Sequence, residues 1–136
     1  MSFTTRQAFL EALKADYKAA IETPRSLPTA YPNLPFSPPT TAHAYFNVVW
    51  GASEQSEIGG VTNFTRHVGV LFVNVFTPVH QGDTAAMGHA EAIDAHYRHV
   101  DLVDARFFTP QVGQGSVQNG WWVQTVQCPF DADQAA

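Results

Sequence analysis

Apolar residues first recur at steps of three and four: Phe9, Leu10, Leu13, Tyr17, Ala20 and Ile21, with Glu11, Lys14, Asp16, Lys18 and Glu22 between them. That period matches the 3.6-residue turn and predicts an amphipathic helix with one buried stripe, opened by Thr4 and Gln7 as a capping box. After Ile21 the pattern breaks. Pro24, Pro28, Pro32, Pro35, Pro38 and Pro39 fix φ and remove backbone donors, which forbids a helix or a central strand and predicts an extended connector of about twenty residues. Its Leu27, Tyr31, Leu34 and Phe36 are too apolar for a free linker, so the connector is expected to lie against the domain surface.

From His43 to Trp50 aromatic and β-branched residues dominate, and Ala44, Phe46, Val48 and Trp50 share one face of a strand. A second strand is expected from Asn63 to Thr77. Between them Gly51 to Val61, containing Glu54, Glu57 and Gly59-Gly60, reads as the long acidic loop of a hairpin. The second strand is apolar on both faces, with Val68, Val70, Phe72 and Phe76 on one and Leu71, Val73 and Val75 on the other. A helix layer covers one face, and a second helix or a neighbouring subunit is needed for the other.

Pro78 stops that strand, and Gly82-Asp83-Thr84 reads as the loop and cap of a second helix whose buried stripe is Ala86, Ala90, Ile93, Tyr97 and Val100. Gly88 within it costs about 1 kcal/mol relative to Ala, which predicts close packing against the sheet as compensation. Asp104 to Val112 and Val117 to Cys128 complete the strands, with turns at Gly113, Gly115 and Asn119-Gly120, and Pro129 ends the last one. The whole predicts an α+β, two-layer fold in a single domain over residues 1–136. Its sheet is mixed and mainly antiparallel, of four to five strands, with two helices packed on it and a projecting β-hairpin.

Charge changes this picture. Only 14% of the residues are charged, against about 25% in an ordinary soluble protein, so something other than charge covers the surface. Interface cores are depleted in Lys, Glu and Asp, and a homo-oligomer is therefore expected. The net charge of -5 and the lack of any Lys or Arg cluster disfavour a nucleic-acid surface. The apolar run Val68 to Phe76 is too short to cross a membrane. A lone Cys128 forms no intrachain disulfide, and Met1 to Leu10 lacks the features of a signal peptide, so synthesis in a reducing cytoplasm is expected.

Candidate chemistry fails on counts and spacings. Of six histidines, His89, His96 and His99 lie near one another on the second helix, but only His96 and His99 have ligand spacing and no Cys completes a set, so exposed polar-face histidines are the reading. His89-Ala90-Glu91 mimics the His-x-Glu of zinc deaminases, yet a single Cys cannot close that zinc shell. Ser116 lacks the Gly-x-Ser-x-Gly spacing of a nucleophile elbow. Asp131-Ala132-Asp133 is assigned to a solvated tail. Asn63-Phe64-Thr65 matches a glycosylation acceptor without a secretory context. Trp121 and Trp122 must face opposite ways, one to the core and one to solvent or an interface. No cofactor and no catalytic residue is assigned.

The Pro-rich lead with Tyr31-Pro32-Asn33 and Phe36-Ser37-Pro38-Pro39, the strand ending in Trp50, and Arg66-His67-Val68-Gly69 running into Val73 to Pro78 together resemble the phage tail terminator family. Gly82, an Ala-rich helix and the closing Trp122 to Phe130 strand continue the likeness, which spans Phe3 to Phe130. The resemblance implies a phage or prophage structural protein of the virion tail, made in the host bacterial cytoplasm and carrying no catalytic residues. It further implies a hexameric ring that caps the tail tube, ends tube polymerisation and offers a surface to the head-tail connector protein. The partners expected are thus further copies of the chain, the tail tube protein and the connector. The long hairpin with an acidic tip has little role inside so small a core, so Trp50, Glu54, Glu57 and Arg66 are the expected ring or tube contacts. Two alternatives remain at this point: a head-completion or neck protein, and a small ligand-binding domain or enzyme using His67, His80 or His96 with Glu91 or Asp94.

Overall fold

A computed structural model describes residues 3–55 and 64–135. The first helix, α1 (Arg6–Tyr17), is capped by Thr5, whose hydroxyl accepts from the Ala8 N–H at 3.1 Å. The cap lies one residue later than the expected Thr4, whose carbonyl is taken by the Gln134 side chain. Helical structure continues past Ile21 through a π-turn (Lys18–Glu22) into α2 (Thr23–Arg25), so Pro24 does not stop it. The wide π-turn carries a Thr23 N–H to Lys18 carbonyl bond, and Pro24 then enters at the start of a fresh α-turn, where its missing N–H has no obligatory partner. The helix ends at Ser26, left-handed at φ 49°. Ser26 N–H donates to Thr23 and Leu27 N–H to Glu22, a Schellman closure.

The connector then turns back along the sheet. Its Thr29–Ala30, strand β1, pairs in parallel with Ala44–Tyr45, and the Thr29 hydroxyl lies 3.1 Å from that of buried Tyr17. Tyr31 donates to Glu22 and packs its ring 5.5 Å from that of Phe46. Phe36 reaches the His43 ring, so the connector lies against the molecule as expected, except at Leu34, which is exposed.

Three long strands make the sheet's centre: β2 (His43–Gln55), β3 (Phe64–Pro78) and β8 (Trp121–Ala135), with β3 in the middle and both pairings antiparallel. Five short strands complete an eight-stranded sheet, more than the four to five expected: β1, β4 (Asp101–Leu102), β5 (Ala105–Phe107), β6 (Gln111–Val112) and β7 (Ser116–Gln118). The excess arises from the two-residue strands β1 and β4, which no expected strand covers, and from the division of Asp104 to Val112 into β5 and β6 around Pro110. Asn119 and Gly120 both have positive φ, the geometry of the two-residue turn their sequence signalled.

Pro129 does not end β8. Its carbonyl accepts from the Phe108 N–H, so its nitrogen also faces that side and no bond of the β3 ladder is lost opposite Val70. Asp131 and Asp133 therefore lie in the sheet and not in a solvated tail. Phe3 bonds to β8 at Asp133 and Ala135, closing the chain's start against its end.

The helices cover one face only. Phe9, Leu13, Tyr17 and Ile21 from the first helix and Ala90, Ile93 and Tyr97 from α3 (Thr84–Tyr97) pack on Phe46, Leu71, Val73, Val75, Val126 and Phe130. The buried stripe of α3 is the expected one from Ala86 to Tyr97, but Val100 lies beyond the helix end and is half-buried. Gly88, however, faces the Arg25 side chain and not the sheet. The fold is α+β in two layers, and among the described residues no helix is long and apolar enough to cross a membrane.

Candidate assembly surfaces

On the sheet's other face, Val68, Val70, Phe72 and Phe76 alternate with the buried Leu71, Val73 and Val75. Val49 of β2 and Val68 are 49% and 41% exposed, and Val70 and Phe72 remain half-buried with no helix over them. One end of this face is closed by rings: His43 stacks on Phe76 at 4.9 Å and meets Trp121 edge-on at 4.6 Å. Ion pairs bound the other end. Arg66 grips Asp133 through both oxygens, at 2.9 and 3.2 Å, and Arg106 holds Asp131 at 2.8 Å. The middle is uncharged: Val49, Val70 and Phe72 stand among the amides of Asn47 and Gln127 and the bonded Asn74–Thr125 pair, which leaves a partly apolar surface framed by rings and ion pairs.

The hairpin residues fall into different settings. β2 runs on through Gly51–Gln55, taking part of the expected loop, with a bulge between Trp50 and Ser53 and Glu54 opposite Arg66 in register. Trp50 lies on the helix side, half-buried between Phe9, Phe130 and His67, with Arg6 over its ring at 5.9 Å. Glu57 lies outside the described residues. Buried His67 bonds Ser53 at 2.6 Å and Gln134 at 2.9 Å, tying β2, β3 and β8 together at the base of the arm.

The residues of the ligand-pocket alternative are not brought together. His67 is held as described, His96 pairs with Asp16 of α1 at 2.8 Å, Asp94 pairs with Arg98, and His80 and Glu91 are exposed. His99 lies beyond the end of α3 and bonds Thr109, so it does not share a helix face with His96. His89 accepts from Arg25. Burial pushes the Cys128 thiol up to about 12, with the Asp94 charge adding to it, which leaves the thiol protonated and unreactive at neutral pH.

A cleft that the sequence did not single out lies where β3 leaves the sheet. Val79, His80, Gly82 and Asp83 face Val117, Gly120 and Trp122 of the β7–β8 hairpin around a volume of about 560 Å³. Trp122, which lines it, lies against the backbone of Gly115, where a side chain would collide with the indole. Trp121 and Trp122 do face opposite sides of β8, and both are half-buried.

No curated protein matches the chain. Eight solved chains do. One is 24% identical, with a TM-score of 0.59 over 93% of this chain and 92% of that one, which supports the fold alone. The model of the phage tail terminator protein family matches residues 5–130. This chain belongs to the phage tail terminator family, and its role is a structural one in the phage tail.

Proposed function

We propose that the chain forms one domain over residues 1–136 and assembles as a homo-oligomeric ring, of six copies in the family reading. The ring caps the finished tail tube, ends tube polymerisation and offers the head-connector protein its attachment surface. The observation that carries this reading is the uncovered sheet face. A monomer with about 14% charged residues gains nothing from leaving Val49, Val68, Val70 and Phe72 toward water, whereas burial against neighbours in a tail recovers about 25 cal/mol for each Å² of apolar surface. The hairpin carrying Glu54, Glu57 and Arg66 is a further ring or tube contact, with Trp50 contributing from the helix side of the sheet.

Light scattering with negative-stain imaging tests the ring, and tails assembled with and without the protein test the cap. A ring is expected in the first, and tubes of uncontrolled length without the protein in the second. Glu54→Lys with Glu57→Lys should weaken ring or tail assembly while the monomer's melting temperature stays unchanged; normal assembly of that variant removes the hairpin from the contact.

A further inference from the structure

Between Arg25 and Glu54 the sequence has no Lys, Arg, Asp or Glu. Within that stretch Leu34 is 58% exposed, flanked by Pro32 and Pro35. It stands beside Glu11, Lys14, Lys18 and Tyr31 at the edge of α1, a patch with two cations to one anion. The two ammonium groups lie 6.0 and 5.5 Å from the Tyr31 ring centroid, and neither forms an ion pair among the described residues. A proline-stiffened segment loses little freedom on docking, so an exposed leucine carried on it makes an efficient apolar knob.

The cleft between Val79, Val117 and Trp122 has the matching features. Its volume of about 560 Å³ exceeds one side chain and leaves room for a leucine with its flanking prolines. Val117 on its wall is 64% exposed. Asp83 is the one carboxylate among its lining residues; it makes no side-chain cap bond to α3 and no ion pair among the described residues. A knob whose surroundings keep a net positive charge, Lys14 and Lys18 against Glu11, thus answers a cleft with a carboxylate at its rim.

We propose that Leu34, with Pro32 and Pro35, seats in the Val79–Val117–Trp122 cleft of a second copy of this chain, with Lys14 and Lys18 facing that copy's Asp83. Knob and cleft are different patches, so each copy gives one and receives one. Such head-to-tail contacts close into a ring when the rotation allows. The inference rests on the ring reading above and names the surfaces that join neighbours, leaving the open sheet face for the tube or connector.

The test uses the full chain with Leu34→Asp and Val117→Asp, both at exposed positions, and with circular dichroism to confirm folding. Each variant alone is expected to be a folded monomer. Mixed together they supply one intact knob and one intact cleft, so a dimer of twice the monomer mass should form and grow no further. Asp83→Lys should weaken the wild-type ring, and adding Lys14→Glu and Lys18→Glu should restore it. Rings of wild-type mass from either single variant, or a mixture that stays monomeric, overturn the inference while the ring stands. A wild-type chain that stays monomeric overturns the ring reading and this inference with it.

Discussion

His89 accepts a 2.8 Å hydrogen bond at Nδ1 from Arg25, joining α3 to the end of the first helix. Burial lowers its pKa first and the Arg25 charge adds to the effect, because both disfavour an imidazolium there. The sign follows: the folded state prefers the neutral ring, so this contribution is complete above the ordinary histidine value and is lost as pH falls below it. An NMR titration should place the His89 midpoint below 6.5, and Arg25→Ala should move it part of the way back, since burial remains. A midpoint unmoved by Arg25→Ala would mean that burial alone sets it. The sequence revealed the histidines but not their partners. His89 and Arg25 are 64 positions apart, as His67 and Gln134 are 67 apart, and no local pattern encodes such pairs.

The elements that sequence reasoning placed well are those set by local chemistry. The apolar stripes of α1 and α3 and the Asn119-Gly120 turn need only neighbours along the chain. Two of the errors fall at prolines. Pro24 and Pro129 each sit where no hydrogen bond requires their missing N–H, which depends on a π-turn in one case and on strand sidedness in the other. The end of the first helix also holds a testable strain. Ser26 adopts φ 49° and is exposed, a conformation in which a Cβ is unfavourable and glycine is at ease. Ser26→Gly is expected to stabilise the fold by about 1 kcal/mol, a rise of a few degrees in melting temperature. A fall would show that the Ser26 side chain contributes more than its backbone geometry costs.

For the whole molecule, alternation along β3 separates a face covered by helices from an open one. The sequence disclosed that both faces of this strand are apolar, yet it left open whether a second helix or a neighbour covers the outer one, because that choice depends on where α3 packs. Both helices lie on the Leu71 side. Two adjacent positions should therefore respond in opposite ways. Leu71 is fully buried under the helix layer, and Leu71→Ala is expected to cost about 2–5 kcal/mol and lower the melting temperature of the isolated protein sharply. Phe72 is half-buried on the open face beside exposed Val68. Phe72→Ser with Val68→Ser should keep a cooperative melt within a few degrees of wild type, because no helix packs on these groups. If the proposed function holds, the same variant should fail to enter tails in an assembly reaction, since the face offered to neighbours has become polar. Normal incorporation of that double variant would mean that the tail is built without this surface, whatever the ring contacts are.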